Sequence, residues 1–416
     1  MLITYFVVLI ISIAIGRKAF RNILNPISMY SILWFICFFF HECGLIDFNP
    51  IGYKTFFVLL VGHISFMTGC LIAVVSSKRK IKIIGLKEND DEIKKKMLVR
   101  WIWIFTFISG ITIIKDFYDQ IKLYGTNIIA NFAYRYSSQL RDVYESNVDL
   151  SSLIFPLIVF VGIYIVQYGF QKKLIAPLIV LLLFALIQGA RGTLIIVISL
   201  FLSQITISKR FSSVSEKKAY GKNKRKYLYI LLVLFVIVLL ITVSRKQYFT
   251  GGKAPDTKNQ YTEAFSSIAS YTAEGIGCLD QYMENPIQSD YPQYFFRVPI
   301  ILLNKLGITD LDTRYHINVY YIPFASNVIT YYGELYHDFG NCCYVIVLIM
   351  AFLFSRCYID VENNNNIFKK TMYSVFFTIF ALSFFANFFH VASLWYVLVI
   401  GGFASIFIDK RITLVD

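Results

Sequence analysis

The sequence is short of charge: only 16% of its 416 residues are Asp, Glu, Lys or Arg, against 57% hydrophobic and 17% aromatic side chains. That balance is too apolar for soluble domains of this combined size and places the chain in a membrane. Ordered cysteine chemistry is also missing. The seven cysteines, at 37, 43, 70, 278, 342, 343 and 357, are odd in number, lack CxxC spacing and have no histidines at metal-ligand offsets. Neither a disulfide framework nor a zinc or other metal site is indicated. No internal repeat at a fixed period is visible, which weighs against an inverted-repeat transporter. The net charge of +14 would suggest a nucleic-acid partner for a soluble protein. In a membrane chain it must first be divided between two sides, and no nucleic acid is expected.

A spanning helix needs about 20 mostly apolar residues. Stretches near that length lie at 2–16, 26–41, 55–75, 98–114, 153–169, 174–189, 193–207, 227–243, 340–356, 372–389 and 391–408, eleven in all. The block from Leu174 to Ile207 is too long for one helix and is interrupted by Gly189-Ala190-Arg191-Gly192. It reads as two spans joined by a tight turn that puts Arg191 at a membrane face.

Basic residues test this count, because cytoplasmic segments near spans are enriched in Lys and Arg. With an external N-terminus, the segments assigned inside hold 27 of the 40 basic residues and net +18, while the outside nets −4. The expected fold is therefore an all-α polytopic membrane protein of about eleven transmembrane helices. Residues 1–243 form an N-terminal membrane bundle with an external loop at 115–152. Residues 244–339 form a large extracytoplasmic loop domain containing short helices, and 340–416 carry the last three spans.

The large loop is no flexible linker. It carries aromatic clusters (Tyr291, Tyr294, Phe295, Phe296; Tyr315, Tyr320, Tyr321, Phe324; Tyr331, Tyr332, Tyr336) and apolar stretches such as Val298 to Leu306. The spacing of Phe265, Ile268, Ala269, Thr272 and Ile276 predicts a helix that ends at Gly275 or Gly277. Val319 to Leu335 reads as an interfacial or re-entrant segment because Pro323, Asn327, Gly333 and Glu334 interrupt it. Aromatic rings among Asp, Glu, Asn and Gln suit a saccharide, which presents an apolar face and a rim of hydroxyls. The same rings also serve a loop as its own core and as its anchor at headgroup depth.

Six arginines fall on the side assigned outside: Arg135, Arg141, Arg191, Arg245, Arg297 and Arg314. Arg191 and Arg245 sit where a span meets the outer face, a place the positive-inside rule disfavours, so an anionic partner is expected. A guanidinium fork binds phosphate oxygens in pairs at any pH, and a lipid-linked pyrophosphate suits it. Snorkelling to ordinary phospholipid headgroups accounts for the same placement. All five histidines (41, 63, 316, 337, 390) lie in spans or external segments. His316 lies beside Arg314, and His63 reads as a satisfied intramembrane histidine. Glu334 and Asp338 are four apart, on one face of a helix, with His337 three residues after Glu334. These three could supply a general base or orient an acceptor hydroxyl.

The ordered set of features resembles the bacterial O-antigen polymerase family, the Wzy-type oligosaccharide repeat-unit polymerases. The features are the many spans, Gly189-Ala190-Arg191-Gly192 opening a mid-chain span, and Val243-Ser244-Arg245 at the next external exit. A large external loop follows, and then the stretch from Thr330 to Gly340 leading back into the membrane. The resemblance implies a metal-independent glycosyltransferase, without cofactor, at the outer face of the plasma membrane. It would transfer a growing glycan from undecaprenyl pyrophosphate onto another lipid-linked repeat unit to build O-antigen or capsule. Catalytic roles are expected for Arg191, Arg245 and His337, and substrate binding for Arg135, Arg141, Arg314, His316, Glu334 and Asp338. Membrane lipid, a chain-length regulator and a flippase are the implied partners. An O-antigen ligase shares the chemistry with a different acceptor, and a lipid-linked oligosaccharide flippase shares the anionic substrate.

The charge division makes a direct prediction. Single cysteines at Lys87 and Lys222 in a cysteine-free background should resist an impermeant thiol reagent in intact cells, and cysteines at 253–258 should react. Labelling at position 222 would overturn the orientation.

Overall fold

The computed structural model describes residues 1–77, 88–124, 150–188, 191–207, 221–222, 260–313, 319–363 and 366–413, and about 80% of these are helical. In chain order the helices are α1 (Leu2–Phe20), α2 (Pro26–Glu42), α3 (Tyr53–Ser77), α4 (Glu88–Tyr124), α5 (Ile154–Tyr168), α6 (Ile175–Gln188) and α7 (Arg191–Thr206). They continue with α8 (Gln260–Glu284), α9 (Arg297–Lys305), α10 (Thr330–Phe339), α11 (Cys343–Asn363), α12 (Ile367–Ala381), α13 (Ala392–Tyr396) and α14 (Gly402–Thr413). A two-residue antiparallel pairing, β1 (Tyr320–Tyr321) with β2 (Ala325–Ser326), makes a small hairpin.

Among the described residues, six helical stretches are long and apolar enough to cross a membrane: Leu2–Phe20, Tyr53–Ser77, Asp91–Asp119, Leu150–Tyr168, Thr330–Glu362 and Ala392–Lys410. Pro26–Glu42 and Gly192–Thr206 are shorter apolar helices. The protein is thus a helical, membrane-embedded chain. The span expected at 227–243 lies outside the described residues.

The chain divides into two compact units. The first comprises Met1–Ile81, Lys258–Ile359 and Phe376–Ala392; the second comprises Lys82–Thr257, Asp360–Val375 and Ser393–Asp416.

In the first unit, α2 starts where Asn25 precedes Pro26. The Asn25 side chain accepts the Ser28 N–H at 3.0 Å, and Pro26 at the first helical position gives up a donor that would be unpaired anyway. Helices α1, α2, α3 and α8 pack together. An aromatic centre forms where the Tyr30 ring stacks on Phe66 at 3.9 Å, Phe66 meets Phe380 edge-on at 4.7 Å, and the Tyr30 and Tyr332 hydroxyls bond each other. At one end, Arg356 donates to Ser77 Oγ and the Tyr358 hydroxyl donates to the Leu24 carbonyl. The other end carries the 42–52 connection, where Asp280 of α8 accepts the Gly52 N–H at 2.9 Å and Lys54 reaches the Met283 carbonyl at 2.6 Å.

Two expectations change here. Helix α8 does not stop at Gly275 or Gly277 but runs on to Glu284. Gly275 is inside it because a Cβ at that position would overlap the Phe384 carbonyl oxygen; the glycine permits close approach and does not break the helix. The apolar run at 372–389 is not one continuous helix. Helix α12 ends at Ala381, a turn follows, and Phe388–His390 form a short 3-10 segment. The broken backbone is tolerated because its polar groups find partners inside protein. Tyr331 N–H donates to the Ser383 carbonyl at 2.8 Å, and Trp34 Nε1 donates to Ser383 Oγ at 3.1 Å.

In the second unit, α5 is buried along almost its whole length, from Ile154 to Val166. A helix apolar all round suits such a central place, and α4, α6 and α7 pack around it. Several buried polar groups in this unit pair with one another. Ser203 and Gln204 bond Ser374 Oγ at 2.9 and 2.6 Å, and Thr206 meets the Tyr373 hydroxyl at 2.7 Å. The start of α12 is capped from α14: Asp409 accepts the Ile367 and Phe368 N–H groups at 3.2 and 2.9 Å and lies 3.8 Å from the Lys94 ammonium.

Close helix contact in the first unit yields a test. A Cβ on Gly69 of α3 would overlap the Leu348 carbonyl oxygen of α11 and press on Ala351. Gly69→Leu should destabilise the detergent-purified protein by about 1–3 kcal/mol through overpacking. Val75→Leu, on the exposed face of the same helix, should leave the melting midpoint unchanged. An unaltered midpoint for Gly69→Leu would contradict the contact.

Candidate functional site

Helix α10 carries the sequence Thr330-Tyr-Tyr-Gly-Glu-Leu-Tyr-His-Asp-Phe339. Its start is strained, because Thr330 has a φ of 63° and a β-branched residue rarely adopts that left-handed conformation. Thr330 is fully buried and its hydroxyl oxygen accepts the Gly333 N–H at 3.4 Å, so its surroundings hold it there. The next turn buries Glu334 completely, and Asp338 one turn later keeps only 7% exposure.

Both carboxylates serve chain segments remote in sequence. Glu334 Oε2 accepts the Asn387 N–H at 2.9 Å and His390 Nδ1 at 3.1 Å. Asp338 accepts the Tyr294 N–H at 3.2 Å and the Phe295 N–H at 2.6 Å, and its Oδ1 also meets His337 Nδ1 at 3.1 Å. The His337 carbonyl accepts the Ser289 N–H at 2.9 Å. Each carboxylate thus fastens a non-helical segment to α10, the break after α12 in one case and the turn before α9 in the other.

The two imidazoles are held alike. A carboxylate oxygen that accepts makes Nδ1 the donor of each ring, and for His337 a neutral imidazole would then carry its lone pair on Nε2. Both rings keep about a seventh of their side-chain surface exposed, 14% for each. His337 also stacks on Tyr294, with centroids 4.5 Å apart. Burial raises the Tyr294 phenol above its ordinary range, with the nearby Glu334 and Asp338 carboxylates adding to the effect, so this ring stays neutral beside His337. An imidazole oriented through Nδ1 by a carboxylate, with Nε2 left to accept, is the arrangement a general base needs.

His63 is used differently. The Ser31 hydroxyl donates to the Ile27 carbonyl and that of Ser12 donates to Met67 Sδ, so both oxygens accept from His63 Nε2, at 2.9 and 3.3 Å. Nδ1 then accepts from the Tyr5 hydroxyl at 3.1 Å. The ring is completely buried and both nitrogens are occupied.

Of the residues singled out in the sequence, Glu334, His337 and Asp338 come together on α10. Arg191 is the first residue of α7, while Arg135, Arg141, Arg245, Arg314 and His316 lie outside the described residues. Arg297 donates its Nε–H to the Thr313 carbonyl at 2.8 Å. His390, Asn387 and Tyr294 belong to the site and were not singled out for it. No spacing in the sequence links them to α10, since His390 is 56 residues from Glu334 and Tyr294 is 44 from Asp338. Among the described residues, no group of three or more His, Cys, Asp or Glu side chains gathers in a way that could hold a metal ion. Comparison of the chain with protein-family models, with curated proteins and with solved structures finds no match.

The pairing makes a stability prediction. Asp338→Ala strips the acceptor from two N–H groups, and an unpaired buried donor costs about 1–3 kcal/mol. Asp338→Asn keeps one oxygen as acceptor. The melting midpoint should therefore fall in the order wild type, Asn variant, Ala variant. Equal midpoints for wild type and Asp338→Ala would mean that the carboxylate does not hold the 294–295 turn.

Proposed function

We propose that this protein is a lipid-linked glycan polymerase, a metal-independent glycosyltransferase. It joins undecaprenyl-pyrophosphate-linked repeat units into O-antigen or capsular polysaccharide at the outer face of the bacterial plasma membrane. The observation that carries the reading is the pair of carboxylate-bound imidazoles at α10, His337 on Asp338 and His390 on Glu334. In this reading His337 Nε2 accepts the proton of the acceptor hydroxyl as the new glycosidic bond forms. The donor's anomeric carbon gives up undecaprenyl pyrophosphate, whose growing charge is neutralised by Arg191 and Arg245. Cations positioned at a leaving group act most strongly in the transition state. Because pyrophosphate already leaves readily, the acceptor needs only modest base assistance. Arg135, Arg141, Arg314 and His316 bind the two lipid-linked substrates, and a chain-length regulator and a flippase act with the enzyme.

The finer topology belongs to the same reading: eleven spans, an external N-terminus, and 244–339 exposed on the outer side. The ordering of the first unit is in keeping with it. Arg356, Ser77, Tyr358 and Leu24 bond at one end, next to the basic 17–21 stretch, while Gly52, Asp280, Lys54 and Met283 bond at the other.

The test is transfer between synthetic lipid-linked repeat units by the purified protein. His337→Ala should slow transfer by roughly 10²- to 10⁴-fold, as loss of a positioned acid–base group does, with donor binding unchanged. Arg191→Lys and Arg245→Lys keep charge but lose the fork, and should weaken donor binding and transfer together. Normal activity per folded molecule in His337→Ala and Glu334→Gln would remove α10 from the chemistry. Transfer to a lipid A core but not to a second repeat unit would make the protein a ligase.

A further inference from the structure

A concave feature of the first unit is lined by residues other than those of α10. It is a cleft of about 370 Å³ whose walls come from three segments distant in sequence: Asn49 and Pro50 after α2, the last turns of α8, and the hairpin at Tyr320 and Ile322. Its volume is in the range of small-ligand sites, which run from roughly 300 to 1,000 Å³. Such sites are mostly apolar, with few polar groups; this one presents Asn49, Asp280, Glu284 and the Tyr320 ring. Among the described residues that line it there is no lysine or arginine.

The cleft is built before any ligand arrives. The Gln281 carboxamide grips the backbone of Tyr321 through both its atoms, accepting the Tyr321 N–H at 3.0 Å and donating to its carbonyl. Asp280 Oδ1 holds the Gly52 N–H. Below the hairpin, Cys278, Ile322 and Ile329 form a buried apolar cluster against which Phe48, Tyr320 and Phe324 pack. On the rim, Asn49 and Glu284 are exposed. Asp280 and Glu284 are four apart, hence on one face of α8.

This combination selects a ligand chemistry. Carboxylates and a carboxamide accept from, and donate to, adjacent hydroxyls, and an aromatic ring supplies a flat apolar surface for the C–H face of a pyranose. Two carboxylates, Asp280 and Glu284, outnumber the single Lys54 ammonium that bonds the neighbouring Met283 carbonyl, and this net negative charge disfavours binding of an acidic ligand. We infer that the cleft formed by Asn49, Asp280, Glu284 and Tyr320 is a subsite for one saccharide unit of a non-acidic glycan, neutral or amino-bearing, and that it excludes uronic acids. The inference rests on the glycan-polymerase reading and specifies where one sugar of the substrate is held and what charge that sugar lacks.

The experiment uses the full-length protein in detergent. Saturation-transfer NMR measures binding of three probes: N-acetylated chitotriose, its deacetylated amine form, and trigalacturonic acid. Two variants alter exposed rim positions, so the fold is kept and a melting curve verifies it: Glu284→Lys reverses the charge, and Asn49→Trp fills the cleft. The wild type should bind the neutral or amine probe and not the acidic one. Glu284→Lys should weaken that binding by about tenfold or more, the worth of a hydrogen bond to a charged group, and should admit trigalacturonic acid. Asn49→Trp should abolish binding of the neutral and amine probes. Binding that survives both variants, or a wild type that takes the acidic probe as well as the neutral ones, overturns the subsite. The polymerisation assay on the same samples keeps the two ideas apart. Cleft-dependent binding without any transfer leaves the subsite standing and removes the polymerase. Transfer with no cleft-dependent binding does the reverse.

Discussion

A backbone N–H taken out of water needs an acceptor, and in a membrane-embedded chain no solvent supplies one. Much of the first unit follows from how that need is met at α10. The helix break after Ala381 and the turn before α9 both leave N–H groups outside any helix, and the carboxylates of Glu334 and Asp338 accept them. A hydrogen bond to a charged acceptor is stronger than a neutral one, so two acids one turn apart hold two irregular segments against one short helix. The second unit uses the same device where Asp409 caps the first N–H groups of α12.

The same pairing gives α10 its chemical character. A carboxylate that already accepts backbone N–H groups has a fixed position, and an imidazole bonded to it through Nδ1 inherits that position. His337 is further held by its stack on Tyr294, whose own backbone N–H is bound by Asp338. Removing Asp338 would therefore loosen the ring, the turn and the stack together, and structure and chemistry at this helix are not separable by a single deletion. The strained Thr330 at the start of α10 belongs to this arrangement, since the Tyr331 N–H that follows it is bound to the Ser383 carbonyl beside the helix break. His63 shows the contrast: with both nitrogens occupied by hydroxyls in a closed environment, it ties α1, α2 and α3 together.

Glycine and apolar length carried less information than they first suggest. Gly275 has the composition of a helix stop but is needed inside α8, because Phe384 comes too close for a side chain. The run at 372–389 has the composition of a continuous span but breaks, because partners elsewhere accept and donate to its freed backbone. In both cases the deciding atom belongs to a residue far away in sequence.

Composition and periodicity alone determined that this is a helical membrane chain, and they marked most of its apolar helices, because the cost of burying backbone in lipid acts on every residue locally and leaves a count that can be read along the chain. They also brought Glu334, His337 and Asp338 to notice, because a spacing of three and four residues is a helix face. Only tertiary structure decided that Glu334 meets His390 and Asn387, that Asp338 meets Tyr294 and Phe295, and that Asn49, Asp280 and Tyr320 share one cleft. Contacts between residues 40 to 270 positions apart depend on how the helices pack, and no local pattern encodes them.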